Sequence, residues 1–327
     1  MACPLVGFGF CYGNPWWGSL SAVLCWSSGR IASRRPIPTV LRRVWAVCTV
    51  TRYIPPLFPE HLSLLMLHKG AIAVRLMIDA TSFCFLNCHL AAGQANTPQR
   101  NTDAATIIKD AKFPPAPHLM AGSMMNGGDG AFVLDHEYVF FFGDLNYRIE
   151  LPRETILHHI SQGDWSALWD ADQLYTQQQR QRTGGRGVSH SALRGFVEAG
   201  PLHFAPTYKY DPGTEQYDTS EKLRAPAWCD RILYRPSPLA AVRFDQATDA
   251  ENGANADGLS PRISTLFYGR HDRPMTSDHR PISGTFLCAV KTIHEAKLSD
   301  VQQTVAEGWR QFKYQRAHKE LSLIQNS

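Results

Sequence analysis

The chain has 327 residues, 44% of them hydrophobic, and a formal net charge of +4. That is enough material for one large core or two ordinary ones, and no apolar run approaches the ~18–20 residues of a membrane span. The charge is a mild basic bias that suits anionic substrates and does not demand nucleic acid. The eight cysteines contain no CxxC pair, so neither a zinc site nor a dense disulfide framework is indicated, and reduced thiols in a cytosolic protein are the simplest reading. Residues 1–26 are apolar but lack the basic start and clean core of a signal peptide, and Pro15, Trp16 and Trp17 fit a transit peptide poorly.

Residues 1–60 show no sustained strand or helix period. Residues 71–78 then read as a strand, Asp79-Ala80 as a turn and residues 82–88 as a second strand, which together predict a hairpin. A helix is expected over 97–111 and a surface loop over 112–130, where Pro, Gly, Met and Asn accumulate. Tyr138-Val139-Phe140-Phe141-Phe142 reads as a buried strand. Leu151-Pro152-Arg153-Glu154 looks like a helix start with Pro in the first turn, and helical periodicity continues over 164–182. Strands are expected at 230–234 and 282–288. Residues 245–260 are acidic, rich in Asn and Gly, and read as a disordered insertion. Residues 296–323 form a charged, partly amphipathic helix outside the core. Hairpins interleaved with helices favour an α+β or mixed α/β sandwich over a doubly wound sheet, and no phosphate-cradling GxGxxG or GxxxxGK[ST] motif occurs.

Chemistry concentrates at the predicted strand ends. Gly143-Asp144-Leu145-Asn146-Tyr147-Arg148 places a carboxylate, a carboxamide and a guanidinium where a buried strand stops. The Asp can bind a metal or orient a water, the Asn can donate to a phosphate oxygen, and the Arg can lock the loop. The plainer reading is a satisfied strand-to-loop turn. His89, in Asn87-Cys88-His89-Leu90, can donate to a phosphate oxygen or simply be a half-buried histidine. Thr207-Tyr208-Lys209-Tyr210-Asp211 and the segment from Tyr217 to Arg224 interleave cations with aromatics, which suits a polyanionic ring ligand but also a solvated charged loop. In Trp228-Cys229-Asp230-Arg231, Asp230 can orient a catalytic His or belong to a buried ion pair. In Ser277-Asp278-His279-Arg280, Asp278 can touch a metal while His279 contacts a phosphate, or Asp278 can serve only as a turn or cap residue.

Taken together, the two long motifs at 142–148 and 226–232, with the blocks at 69–75, 87–92, 206–211 and 277–281, resemble the magnesium-dependent inositol polyphosphate 5-phosphatases of the endonuclease/exonuclease/phosphatase superfamily. The resemblance covers about residues 64–288 and is nearest the fungal and synaptojanin-like branch. It implies a four-layer α/β sandwich of the DNase I-like type, with a catalytic domain over 61–290, an atypical segment over 1–60 and a helical extension over 291–327. It implies in-line attack of water on a 5-phosphate with Mg²⁺ as cofactor. Asp144 would orient or deprotonate the water, Asn146 would position the water or the phosphate, His89 and His279 would stabilise the phosphoryl group, and Asp230 would hold His279. Asp278 would lie at or near the metal. Lys69, Asn87, Tyr208, Lys209, Lys222 and Arg224 would bind substrate, the cations gripping a neighbouring 4-phosphate. The implied substrate is phosphatidylinositol 4,5-bisphosphate or a soluble inositol polyphosphate, met in the cytoplasm or at a membrane surface, with no nucleic acid partner. Oligomeric state stays open.

The family's N-terminal Trp-Asn strand and the Gln-Glu motif that supplies its metal-ligand Glu are not found in residues 1–60, where Glu60 is the only Glu before residue 137. The expectation is therefore a sandwich incomplete or divergent at its N-terminus, with a catalytically impaired phosphoinositide-binding protein as the alternative to an active enzyme.

Overall fold

The computed structural model describes residues 5–12, 21–23, 49–53, 70–78, 81–114, 128–182, 193–236, 263–290 and 295–325. In chain order these hold strands β1 (Leu5–Tyr12), β2 (Ser21–Val23), β3 (Thr49–Tyr53), β4 (Gly70–Ile78) and β5 (Thr81–His89), helix α1 (Thr97–Asp110) and strand β6 (Tyr138–Asp144). Helices α2 (Arg153–Gln162), α3 (Trp165–Asp170) and α4 (Gln173–Arg182) follow, then β7 (Val197–Glu198), β8 (Asp230–Pro236), β9 (Ile263–Arg270), β10 (Ile282–Ala289) and helix α5 (Glu295–Gln325).

The strands form two sheets, one ordered β2-β1-β10-β9 and one ordered β3-β4-β5-β6-β8-β7. Within the second, β5 and β6 are parallel and the other pairs antiparallel. Every residue of β6 is buried, because the strand is covered on both faces and needs no polar side. Period-2 alternation divides its apolar residues between two cores. Phe83, Phe85, Tyr138, Phe140 and Phe142 meet Ile282, Phe286 and Cys288 of the other sheet. Cys84, Leu86, Val139 and Phe141 face the opposite way, onto Ala104, Ile107 and Ile108 of α1. The buried positions of α1, at 100, 104, 107 and 108, follow the helical repeat that the sequence predicts for 97–111.

Several expectations are corrected. The segment before residue 60, which shows no period, contains β1, paired along its length with β10, and β3, paired with β4. Gly7 and Gly9 weaken β1 as a strand signal, so only its partner makes it legible. β9 is not anticipated either. The register shifts between Thr285 and Phe286, and Leu266 has no partner on β10, so the apolar alternation of β9 is interrupted. The helical stretch over 164–182 breaks at Asp172, whose carboxylate accepts the Tyr175 N–H at 2.9 Å and caps α4. Pro152 is the N-cap of α2 rather than a first-turn residue. The proposed insertion at 245–260 lies outside the described residues.

Residues 1–290 form one compact unit and residues 291–327 a second. The second is α5, exposed throughout residues 299–316, with the rings of Trp309 and Phe312 edge to face at 5.8 Å. Among the described residues no helix is long and apolar enough to cross a membrane.

Candidate active site

Strand register alone brings three of the predicted residues into one row. His89 of β5 is the partner of Asp144 on β6, and Asp144 is the partner of Asp230 on β8. Because β5 and β6 run parallel, both reach the same end of the sheet, and the row lies where the strands give way to loops. Backbone hydrogen bonds then join the motifs. Leu90 N–H donates to Asp144 O at 3.0 Å, and the Cys229 carbonyl accepts from Leu145 N–H at 2.7 Å and Asn146 N–H at 3.3 Å. His279 arrives from the loop after β9, tied down where Tyr210 N–H donates to Asp278 O and Arg280 N–H to Thr207 O, both at 2.8 Å.

The side chains converge on Asp144. Its Oδ2 lies 3.4 Å from His89 Nε2 and 4.0 Å from His279 Nε2. His279 Nδ1 lies 2.9 Å from Asp230 Oδ2, and the Thr207 hydroxyl donates to that same oxygen at 2.6 Å. Asp230 and Thr207 are fully buried, while the His89 side chain is 32% exposed and so forms the mouth of the site. Burial raises the Asp144 carboxyl above the ordinary range, and the neighbouring Asp230 charge adds to this, against the opposing pull of His279, His89 and Arg148. Burial works against a charged His279, but the Asp230 carboxylate, by charge and hydrogen bond, together with Asp144 and Asp278, raises it to about 9. The row therefore combines a carboxylate made more basic with an imidazole held as a cation. That pairing can deprotonate a water and stabilise charge on a phosphoryl oxygen.

Asn146 takes a left-handed backbone conformation, φ 57°, which Asn tolerates better than most residues. Its backbone N–H donates to Asp144 Oδ1 at 3.1 Å, its Nδ2 donates to Leu90 O at 3.2 Å, and Arg148 clasps both its backbone carbonyl and its Oδ1. The Arg148 guanidinium also lies 4.5 Å from the centre of the Tyr208 ring. The arginine is thus the lock of the turn. Gly143 makes the turn possible: its φ is +123°, and a Cβ there would come within 2.3 Å of the Cys88 carbonyl and 2.7 Å of Asn87 Oδ1. Gly143→Ala is expected to destabilise the fold by roughly 2–4 kcal/mol, combining backbone strain with overpacking. A urea unfolding midpoint equal to that of the parent would refute this reading of the turn.

Among the predicted substrate-binding residues, Tyr208 packs its ring 4.8 Å from that of His279. Lys209 follows it in sequence and places Nζ 3.9 Å from Asp218 Oδ1. Lys222 and Arg224 are exposed on the same loop, and Asn87 is half-buried beside Gly143. Lys69 lies outside the described residues. Asp278 does not join the predicted metal cluster: its carboxylate accepts only a long hydrogen bond, 3.4 Å, from Ser277, and its carbonyl serves Tyr210. The described group with metal-ligand proximity is instead Asp144, Asp230 and His279, one donor atom of each within 4.8 Å of the others. Asp278 nevertheless lies near enough to His279 for its charge to raise that imidazole. The donor chemistry fits a hard divalent cation: two buried carboxylates are present, and Asp230 Oδ1 is buried without a hydrogen-bond partner. Sequence reasoning missed Thr207, which shares Asp230 with His279. Its signal is a hydroxyl placed immediately before the Tyr-Lys-Tyr segment.

A carboxylate–imidazole row at the end of a two-sheet sandwich defines the general class, and comparison with known proteins defines the family. Endonuclease/exonuclease/phosphatase family 2 matches residues 61–285, and the chain belongs to it. It is 40% identical over 247 residues to a probable inositol polyphosphate 5-phosphatase of Schizosaccharomyces pombe, covering 75% of this chain and 18% of that protein. It is 38% identical over 220 residues to synaptojanin-1 of Homo sapiens, covering 66% of this chain and 12% of that protein. The chain thus spans less than a fifth of the length of these curated relatives. Among solved structures it matches the inositol polyphosphate 5-phosphatase domain of SPsynaptojanin in complex with inositol (1,4)-bisphosphate and calcium ion. That match has a TM-score of 0.56 at 30% identity and covers 83% of this chain and 62% of the other. The fold is accordingly an α/β sandwich of the DNase I-like type.

Proposed function

We propose that the chain is a phosphoinositide 5-phosphatase, hydrolysing the 5-phosphate of phosphatidylinositol 4,5-bisphosphate or a soluble inositol polyphosphate with Mg²⁺. The observation that carries this reading is the single row of His89, Asp144 and Asp230, completed by His279, in a chain similar to named 5-phosphatases. Asp144, whose basicity burial increases, takes the proton of the attacking water. Asn146 fixes the Asp144 carboxylate through its backbone N–H. His279, kept protonated by Asp230, donates to a phosphoryl oxygen, and His89 does the same from the mouth. Asp230 Oδ1, buried without a hydrogen-bond partner beside Asp144, would supply an oxygen ligand to Mg²⁺. When bound, the ion neutralises charge on the phosphate and the departing oxygen. The cations Lys209, Lys222 and Arg224 suit a second phosphate on the ring. The lipid form of the substrate would be met at the surface of a membrane.

The test is phosphate release from a short-chain phosphatidylinositol 4,5-bisphosphate and from inositol 1,4,5-trisphosphate, each with Mg²⁺ and with chelator. Mg²⁺-dependent release from either, reduced at least ~10²-fold by Asp144→Ala, is the expected result. The two substrates separate the lipid from the soluble source. Headgroup binding with no release under any condition would instead establish a binding protein without turnover.

A further inference from the structure

The loop that carries Lys209, Lys222 and Arg224 contains a buried anion. Asp218 is fully buried, and every polar contact of its carboxylate is to a donor of its own loop. Ser220 N–H donates to Oδ1 at 3.1 Å, Arg224 N–H donates to Oδ2 at 2.8 Å, and Lys209 Nζ stands 3.9 Å from Oδ1. Its backbone continues the pattern. Asp218 N–H donates to Lys209 O at 2.9 Å, and its carbonyl accepts from Arg153 of α2 at 2.9 Å. One residue thus connects Lys209, the turn bearing Lys222, the backbone of Arg224, and a helix of the scaffold.

The catalytic row does not depend on these contacts. Tyr208 is bound to Ala227 by two backbone hydrogen bonds, 3.1 and 2.8 Å, and the His279 loop is held through Thr207 and Tyr210. Removing the Asp218 charge should therefore disturb where the loop cations stand while leaving the row in place.

We propose that Asp218 is the positioning residue that shapes the Lys209–Lys222–Arg224 loop, and so sets the preference for an inositol ring bearing a phosphate beside the scissile one. The proposal rests on the 5-phosphatase reading above. It makes a prediction opposite in sign to simple electrostatics. Asp218 is an anion in a site for anions, so deleting its charge without moving anything would tighten polyanion binding. If its work is positional, deletion weakens binding, because two cations and a turn lose the acceptor that orients them.

The experiment compares Asp218→Asn with the parent on inositol 1,4,5-trisphosphate and inositol 1,5-bisphosphate, which lacks the 4-phosphate. KM for the trisphosphate is expected to rise roughly 10–150-fold, the range set by losing a charge-assisted hydrogen bond. Its kcat should stay within about twofold, and the ratio of kcat/KM values between the substrates should fall by the same factor as KM rises. Arg153→Gln, which acts on the Asp218 carbonyl from another element, should move the ratio in the same direction by less, and keeps the test open if Asp218→Asn does not fold. Equal losses on both substrates, an unchanged ratio in both variants, or tighter trisphosphate binding would overturn the proposal. Should the parent release no phosphate at all, the 5-phosphatase reading fails, and calorimetric binding of the same two compounds still decides the role of Asp218.

Discussion

Asp230→Asn is expected to lower phosphate release by about 10²–10⁴-fold, as loss of the carboxylate behind a catalytic imidazole does elsewhere. The reason lies in the balance at His279. Burial alone would hold this imidazole neutral, and Asp230 reverses that, raising it to about 9. With Asn in place, the hydrogen bond can remain but the charge is gone, so burial pulls His279 down from about 9, opposed only by the charges of Asp144 and Asp278. The alkaline limb of the activity profile should then move to lower pH, and the residual activity should be greatest in acid. Linkage gives the same sign in stability. A histidine whose folded value lies above its unfolded one stabilises fully below about 6.5 and loses that contribution as pH rises through about 9. The variant loses the part of that contribution that Asp230 supplies. Its deficit in urea unfolding of the metal-free protein should therefore be larger at pH 6 than at pH 9.5. Activity within threefold of the parent across the whole pH range would remove Asp230 from the mechanism.

The contrast between Asp230 and Asp278 shows what the sequence can and cannot reveal. Both stand beside a strand end in a distinctive motif, and side-chain type alone gives each a plausible part in metal or histidine chemistry. Asp230 is placed by register, because β8 runs against β6 and so meets Asp144. Asp278 sits instead on a loop, whose path no residue pattern encodes and which brings its neighbour His279 to 2.9 Å from Asp230. The same distinction holds for the fold. β6 announces itself by an unbroken apolar run, whereas β1 has glycines in alternate positions and is defined by its pairing with β10. Local signals therefore located the central strands, while long-range pairing decided the N-terminal strands and β9.

The residue after Asp230 carries the largest expected effect on stability. Arg231 points away from the row of His89, Asp144 and Asp230 into a charge network in which Arg231 and Asp172 are fully buried and the Glu198 side chain is 8% exposed. Nη1 donates to both oxygens of Asp172 at 3.0 Å, and Nε and Nη2 clasp Glu198 at 3.0 and 2.8 Å. Burial opposes its charge, but Asp172 and Glu198 raise it above the range of an ordinary arginine. Arg231→Met would keep the volume and strand two carboxylates without a counter-charge, and is expected to cost about 3–5 kcal/mol or more of folding free energy. The pH dependence follows from which group is left exposed to the penalty. Burial already raises the Glu198 carboxyl, and without the arginine that opposes this its folded value rises further, so the deficit grows as pH rises through that value and shrinks in acid, where Glu198 is protonated. Combining Arg231→Met with Asp172→Asn and Glu198→Gln should recover most of the loss, because the charges are then removed together rather than one at a time. Since Asp230 and Arg231 are adjacent on β8 and face opposite sides, the stabilised triple variant should keep Asp230 in register with Asp144. A single Arg231→Met variant within about 1 kcal/mol of the parent would mean that water reaches the network and that Arg231 does not anchor the strand.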